Sequence, residues 1–182
     1  MGGTKDVLNV HTDPAEKARL EAIRRYDILD TPPDGAFDRV TALAAKIFDV
    51  PIALVTIVDH DRIWFKSRHG LETVAQIDRD PGLCASAIME EGTYVVEAAR
   101  ADARTLANPL VSGKFGLQFY AAAPLRTTDG HRLGTLCLID REPRVFSPQQ
   151  GEVLQGLAEI VMDEMELRIS TLRALRAGQN PA

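Results

Sequence analysis

The sequence predicts a single domain of the mixed α/β class, with a central antiparallel sheet of five or six strands. Two helical patterns open the chain and one long pattern closes it, whereas the strands between them come in pairs joined by short turns. Strands paired in this way run antiparallel, and helices at the two ends of a chain pack together on one sheet face. Residues 70–92 and 98–116 remain to cover the other face and enclose a pocket.

Apolar periodicity and end signals predict the helices. Asp13 and Pro14 are typical of an N-cap and a first helical residue, and a second helix begins near residue 34. The last helix begins at residues 147–150, where an N-cap serine is followed by a proline and by a glutamine at the third position. We expect a disordered tail over residues 1–12, the domain over residues 13–170, and the end of the last helix with a second tail over residues 171–182.

Five strands are predicted by β-branched and apolar runs between turn signals. They are residues 52–58, 62–67, 94–96, 117–125 and 133–139. An Asp-Gly pair before the last of them is typical of a hairpin turn. Residues 70–82, which contain glycine, proline and several charges, are predicted to form a loop.

Composition and charge exclude several classes of function. The net charge is -5 and the basic residues are scattered among acidic ones, unlike a surface that binds nucleic acid. No apolar run approaches the roughly 18 residues that span a bilayer, and the N-terminus lacks the apolar core of a signal peptide. Two cysteines do not make a secreted disulfide framework. We expect a cytoplasmic protein with reduced thiols that binds neither nucleic acid nor membrane.

Ten short blocks of sequence, in a fixed order, resemble one known family. The blocks are residues 25–33, 37–38, 51–55, 62–67, 102–104, 108–111, 119–121, 123–125, 134–140 and 143–144. Together they resemble the GAF domains at the N-terminus of bacterial sensor histidine kinases and diguanylate cyclases, over about residues 16–170 of this chain. The resemblance implies a five- or six-stranded antiparallel sheet, terminal helices that pair between subunits, and a pocket on the opposite face.

The resembled family does not name the ligand, because its members bind cyclic nucleotides, haem, bilins or other small molecules, or only mediate dimerisation. This chain also departs from the family in its loops. The family's Phe-Cys-Ala-His becomes Leu-Cys-Ala-Ser at residues 83–86, and its Asp-Pro-Arg-Phe-Ala becomes Asp-Ala-Arg-Thr-Leu at residues 102–106. Gln118 and Ala122 replace a family arginine and glycine. Either the ligand differs from that of typical relatives, or the pocket has lost constraint.

Nine residues are candidates for the ligand pocket. They are Trp64, Arg79, Cys84, Tyr94, Asp102, Arg104, Asn108, Phe119 and Tyr120. Trp64 either stacks on a planar base or closes the sheet against its loops. Arg104 either holds a phosphate or carboxylate or pairs with Asp102 to fix its loop. Strand alternation sends Phe119 and Tyr120 to opposite faces, without showing which of them faces the pocket.

The two cysteines allow chemistry as well as packing. Cys137 lies within an apolar strand, which favours an inert thiol, whereas Cys84 lies in a covering segment and is the better candidate for a reactive one. Some stand-alone members of the resembled family reduce free methionine sulfoxide, which needs a low-pKa thiolate and a resolving thiol. The residues flanking Cys84 and Cys137 differ from those of the reductases, so a structural role is favoured.

The cofactor is unknown, and no covalent bilin or haem is expected. A bilin is attached to a cysteine usually followed by histidine, but Ala85 follows Cys84 and Leu138 follows Cys137. Haem needs an axial ligand, typically histidine, and the four histidines lie in tails or turns. Cysteines and histidines at metal-ligand spacing are absent from the sequence, so no metal site is predicted.

Apolar residues at helical spacing predict that the terminal helices pair with those of a second copy. The candidates are Leu20, Ile23, Leu154, Leu157, Val161, Met165 and Leu172. We expect a homodimeric sensor of two-component or cyclic nucleotide signalling, not a self-sufficient enzyme, that acts on an output kinase or cyclase domain or on a partner protein. The alternatives are a thiol-based reductase of the free methionine sulfoxide type and a ligand-free dimerisation scaffold.

Overall fold

The structure, a computed structural model, describes residues 13–178. The tail predicted over residues 1–12 and the end of the second tail, residues 179–182, lie outside the described residues. Within the described part the chain folds into α1 (Pro14–Tyr26), α2 (Gly35–Phe48), β1 (Ile52–Val58), β2 (Arg62–His69), β3 (Gln76–Asp78), α3 (Leu83–Ala87), β4 (Tyr94–Val96), α4 (Pro109–Ser112), β5 (Phe119–Arg126), β6 (Arg132–Asp140) and α5 (Pro148–Gly178). This order of elements confirms the predicted mixed α/β class.

The six strands form one sheet in the order β3-β2-β1-β6-β5-β4, and every neighbouring pair is antiparallel. Strand β3 lies inside the segment predicted to be a loop, and the sequence gives little sign of it because three residues are too few to show a period of two. Strand β5 begins two residues after the predicted start at residue 117 and continues through Pro124 to Arg126, one residue past the predicted end. Both central strands, β1 and β6, are buried along almost their whole length.

A glycine allows the two central strands to approach each other. A Cβ atom built on Gly134 of β6 would lie 1.8 Å from the carbonyl oxygen of Thr56 on β1 and 2.8 Å from the Cα of Ile57. No real side chain tolerates such contacts, so the backbone packing of β1 against β6 at this point requires glycine.

The long helix begins with the predicted capping box. Ser147 N donates to Gln150 Oε1 at 2.8 Å, and Gln150 N donates to Ser147 Oγ at 3.2 Å. Because each side chain satisfies an amide that the first turn leaves unpaired, the start of α5 is well defined. The carboxylate of Asp13 caps the start of α1 by accepting a hydrogen bond from Ala15 N at 3.0 Å.

Two apolar layers lie on opposite faces of the sheet. The helix-side layer joins α1, α2 and α5 to one face, with buried side chains that include Phe37, Phe119 and Leu154. The loop-side layer joins α3, α4 and the intervening loops to the other face, and Tyr120 is buried there. The adjacent residues Phe119 and Tyr120 therefore face opposite layers, and Tyr120 is the one that faces the loops.

Candidate functional site

A cavity of about 110 Å³ lies between the sheet and its loop-side cover. Its walls are apolar and come from strands β1, β2, β3, β5 and β6 on one side and from α3, α4 and their loops on the other. The lining residues are Leu54, Phe65, Leu71, Val74, Ile77, Leu83, Cys84, Leu110, Phe115, Leu117, Tyr120 and Ile139. Two of the nine pocket candidates, Cys84 and Tyr120, line this cavity.

Five buried side chains with polar atoms lie together in the loop-side layer. Tyr120 Oη donates a hydrogen bond to Cys84 Sγ at 3.2 Å, and the hydroxyls of Thr56 and Thr135 lie 2.9 Å apart across the β1–β6 pair. The Cys137 thiol interacts with Cys84 and completes the group, which we call the thiol cluster. Thr56 and Thr135 were not among the predicted site residues. They join the cluster because the register of β1 and β6 places them directly opposite each other.

The thiol cluster shifts the pKa values of the two cysteines in opposite directions. The hydrogen bond from Cys137, with further hydrogen bonds from Tyr120, Thr135 and Thr56, lowers the pKa of Cys84 to about 6 against the opposing effect of burial. The pKa of Cys137 is raised well above its usual value by its hydrogen bond to Cys84 and by burial. Burial also raises the pKa of Tyr120 well above its usual range. The hydrogen bonds of the cluster therefore favour the thiolate form at Cys84 over the thiolate form at Cys137.

Arg104 is already engaged by its own loop. Its guanidinium donates to the Asp102 carboxylate at 2.6 Å and to the carbonyl of Val95 at 2.9 Å, and it lies over the Tyr94 ring at 4.9 Å. The hydrogen bond from Arg104 lowers the pKa of Asp102, so the pair is ionised at neutral pH. This geometry matches the interpretation in which Arg104 fixes its loop.

Asn108 joins the two covering segments. Its side-chain oxygen accepts a hydrogen bond from Leu110 N at 2.8 Å and caps α4, while its amide donates to the carbonyl of Pro81 at 2.8 Å. Asn108 was a candidate for the pocket, but its side chain does not line the cavity. Asn108 holds α4 against the loop that precedes α3.

The remaining candidates lie outside the cavity. Trp64 is buried in the helix-side layer with Phe119, on the other face of the sheet. Arg79 lies at the sheet edge, where it donates to Glu16 Oε1 at 2.6 Å and to the carbonyl of Asp59 at 3.1 Å. Tyr94 is buried in the loop-side layer and packs edge-on against Tyr120, with ring centroids 6.1 Å apart, but does not line the cavity.

Residues 13–178 contain neither a cluster of metal-binding side chains nor a helix that could cross a membrane. In this range no set of three or more histidine, cysteine, aspartate or glutamate side chains is gathered closely enough to hold a metal ion. None of the helices of the described chain combines the length and the hydropathy that crossing a membrane requires.

Comparison with curated proteins gives one relative with substantial sequence identity. The chain is 39% identical over 160 residues to the cyclic di-GMP phosphodiesterase PA2567 of Pseudomonas aeruginosa. The matched region covers 87% of this chain but only 26% of the relative. The chain thus corresponds to about a quarter of that longer protein.

Solved structures with the same fold have diverse roles. The free methionine-R-sulfoxide reductase of Neisseria meningitidis matches with a TM-score of 0.62 and 18% identity, covering 88% of this chain and 95% of that one. The GAF domain of an Acinetobacter phosphoenolpyruvate-protein phosphotransferase matches with a TM-score of 0.61 and 17% identity, covering 90% and 97%. At such identities the likeness shows the fold alone. The GAF domain family itself matches residues 32–165, and the chain belongs to this family.

Proposed function

We propose that this chain is the sensor module of a signalling protein, which pairs with a second copy through α5 and passes changes at the loop-side cavity to that helix. The observation that carries the proposal is an exposed apolar stripe on α5. Val153, Ile160 and Leu167 recur every seven residues and expose 46%, 52% and 62% of their surface, and Leu175 extends the stripe. A seven-residue apolar repeat is typical of a helix that packs along another helix.

The stripe differs from the residues that the sequence suggested for the dimer. Leu154, Val161 and Met165 are buried against the sheet of the same chain, as are Ile23 and Leu157, and Leu20 and Leu172 pack at the edge of the same layer. These side chains hold α5 in place and leave the neighbouring face of the helix for a partner. Helix α2 contacts α5 and exposes two more large apolar side chains, Leu43 and Ile47.

The second copy is the occupant that best suits this stripe. A two-fold dimer places the same patch of each subunit against itself, so an apolar stripe on a helix is complementary to its own copy. Large apolar side chains exposed together on two neighbouring helices are also typical of an interaction surface, whereas single exposed ones are not. The proposed dimer would bury the α5 stripe together with Leu43 and Ile47.

The sheet provides a short route from the cavity to the stripe. Helix α5 packs on β5 and β6, and the opposite faces of these strands carry Tyr120 and Cys137. A change in the position of either strand on the loop side therefore moves the surface on which α5 rests. A ligand shifts the helix only if it binds one arrangement of these strands more tightly than another.

The cavity favours a small uncharged ligand over a cyclic nucleotide. Its walls are apolar, and its volume of about 110 Å³ is small for a drug-sized site. The phosphate of a nucleotide needs a cation or several amide donors, and Arg104 is occupied by Asp102 and Val95. The same argument speaks against free methionine sulfoxide, because nothing in the wall would pair with its amino and carboxylate groups.

The relative suggests the class of output. PA2567 is a cyclic di-GMP phosphodiesterase, so we propose that this cytoplasmic module regulates an enzyme of cyclic di-GMP turnover, either on the same chain or as a separate partner. In this arrangement cyclic di-GMP is the substrate or product of the output and not the ligand of the cavity. A ligand-free scaffold is the remaining alternative, which native mass spectrometry of protein from its host separates by showing whether a small molecule is bound.

Sedimentation velocity of three proteins tests the dimer. The unmodified chain should sediment as a dimer, whereas Ile160→Glu should raise the dissociation constant by about tenfold or more, because it places a charge in the apolar interface. The matched control is Gln155→Glu, which adds the same charge to an exposed position of α5 outside the stripe. A chain that is monomeric at all accessible concentrations, or a control that dissociates as strongly as Ile160→Glu, would contradict the proposal.

A further inference from the structure

The thiol cluster is a second chemical feature of the loop-side face, and the proposed dimer makes no use of it. Cys84 lies on α3, in the cover, and Cys137 lies on the central strand β6 beneath that cover. Both are free thiols, both are buried in the same apolar layer, and their side chains interact. The fold therefore brings together two thiols that are 53 positions apart in the sequence.

The surroundings of Cys84 differ from those of a cysteine that only fills space. A neutral thiol behaves as a small apolar side chain and needs no polar neighbours. Here Tyr120 donates to Cys84 Sγ at 3.2 Å, and the hydroxyls of Thr56 and Thr135, 2.9 Å apart, interact with the same sulfur. Donors gathered around one buried sulfur stabilise its thiolate form, which is the nucleophilic form of cysteine.

The cavity gives small molecules a way to reach this sulfur. Cys84 and Tyr120 both line it, so the sulfur is buried from bulk water but adjoins internal space. A cavity needs only about 10–15 Å³ to hold one water molecule, so 110 Å³ has room for a molecule of the size of hydrogen peroxide. Its apolar walls disfavour the entry of charged oxidants, because a charge in such a space is poorly solvated.

We propose that Cys84 and Cys137 form an oxidation site at which a small uncharged peroxide converts the two thiols into a disulfide between α3 and β6. The proposal is independent of the dimer, because the site lies wholly within one subunit. Its substrate class is a hydroperoxide small enough for the cavity, and hydrogen peroxide is the probe used below.

The reaction is complete with these two thiols and one peroxide. The Cys84 thiolate attacks one peroxide oxygen, the O–O bond breaks, and the departing hydroxide takes a proton from solvent to become water, which leaves a sulfenic acid on Cys84. The Cys137 sulfur then attacks the Cys84 sulfur, the S–O bond breaks, and water leaves with the Cys137 proton. Two thiols are oxidised by two electrons, and one peroxide is reduced to two water molecules.

The disulfide would join the loop-side cover to β6, a strand whose other face contacts α5. In the reduced chain, only noncovalent contacts join α3 to β6, namely apolar packing and the interaction of Cys84 with Cys137. A covalent link between Cys84 and Cys137 fixes α3 relative to the strand that α5 packs on. Oxidation would thus select one arrangement of the cover.

Treatment of the reduced full chain with hydrogen peroxide at neutral pH tests the proposal. The protein is then unfolded in the presence of a thiol alkylating reagent and analysed by intact and peptide mass spectrometry. We expect loss of two hydrogens, no alkylation, and a disulfide-linked peptide pair that contains Cys84 and Cys137. Recovery of two alkylated thiols after excess peroxide, or of disulfides only between chains, would overturn the proposal.

Single-cysteine variants assign the roles of the two sulfurs. Cys137→Ala should stop at a sulfenic acid on Cys84 that a dimedone-type reagent traps, whereas Cys84→Ala should give no comparable trapping on Cys137. Equal trapping in both variants would remove Cys84 as the attacking sulfur. Circular dichroism and thermal melts establish that the variants are folded, and the result on the unmodified chain decides the proposal if they are not.

Tyr120→Phe tests whether the hydroxyl donor sets the reactivity, since both cysteines remain. Loss of one hydrogen bond to a thiolate should raise the pH of half-maximal oxidation rate by about one pH unit and slow oxidation at pH 5 about tenfold. Tyr94→Phe is the matched control, because this buried tyrosine packs against Tyr120 but gives no hydrogen bond to either sulfur. A structural effect alone would leave the pH profile of the oxidation rate unchanged in Tyr120→Phe, or would shift it equally in both variants.

Discussion

The two faces of the sheet are built by different means. On the helix side, three helices of 13, 14 and 31 residues pack their apolar faces on the strands, and Phe37, Leu154 and Val161 are fully buried. On the loop side, two helices of five and four residues and the loops around them form the cover. The helix side is covered by long helices, whereas the loop side retains an apolar cavity and the thiol cluster.

This difference follows from how each cover satisfies its backbone. Long helices bond their own peptide groups, so their side chains are free to pack and to present an exposed stripe. A cover of short segments has unpaired carbonyls, and side chains must bond them: Asn108 donates to Pro81, Arg104 to Val95, and Thr105 to Ala99. Irregular backbone held by single polar contacts leaves gaps between segments. The helix side is thus suited to assembly and the loop side to ligands and chemistry.

We expect the largest loss of stability from a substitution in the sheet itself, which supports both faces. Gly134→Ala places a Cβ atom 1.8 Å from the Thr56 carbonyl oxygen and separates β1 from β6. Because these strands are the floor of both layers, we expect a loss of about 4 kcal/mol in the free energy of unfolding, measured by urea denaturation. The matched control is Gly151→Ala, whose Cβ atom would meet its nearest neighbour, Thr93 Oγ1, at an ordinary 3.7 Å. Comparable stabilities of the two variants would contradict this account of the β1–β6 contact.

The helix side was the better predicted of the two faces. The capping box at Ser147, the cap at Asp13 and the apolar stripe of α2 are local signals, and each is read from residues that are neighbours in sequence. The helical stripe of Leu154, Val161 and Met165 was also correctly recognised as an apolar face. Apolar periodicity shows that one face of a helix is buried, but it does not show which surface buries that face. The sequence therefore could not distinguish packing on the sheet of the same chain from packing on a second copy.

The loop side was predicted as a cover but not in its chemistry. Cys84 and Tyr120 were named as candidates, yet their contact depends on α3 lying over β5, which no local pattern reveals. Thr56 and Thr135 were missed because each is an ordinary β-branched residue in a strand, and only the strand register places them together. Trp64 was assigned to the pocket because its strand borders it, but alternation along that strand turns it to the helix side.

Ion pairs at the edge of the sheet connect the helix side to the loop-side cover. We expect their removal to have the second largest effect on stability. Glu16 of α1 accepts hydrogen bonds from Arg19, also on α1, and from Arg79 in the loop-side cover. We expect Glu16→Gln to reduce the free energy of unfolding by about 2 kcal/mol at pH 7, because it leaves the buried Arg19 without its carboxylate. Glu21→Gln, an exposed position on the same helix, is the control and should change little.

The pH dependence identifies the carboxylate as the cause. Against the raising effect of burial, the hydrogen bonds from Arg19 and Arg79 lower the pKa of Glu16 from 4.5 to about 2. A lowered carboxyl pKa stabilises the fold above pH 4.5, and this contribution is lost as the pH falls towards 2. The stability difference between the unmodified chain and Glu16→Gln should therefore be constant above pH 4.5 and narrow below it. A difference that stays the same at pH 3 would assign the effect to packing.

The smallest expected effect compares the packing of the two faces by one identical substitution. Val161→Leu adds a methylene to a fully buried position of the helix-side layer and should reduce the free energy of unfolding by about 1–2 kcal/mol. Val74→Leu adds the same group to the wall of the loop-side cavity, where the added methylene enters existing space, and should be neutral or slightly stabilising. Urea denaturation of the reduced proteins, with the slope of the transition checked for constancy, measures both. Equal losses at the two positions would mean that the loop side is as closely packed as the helix side, and would leave no room for a peroxide beside Cys84.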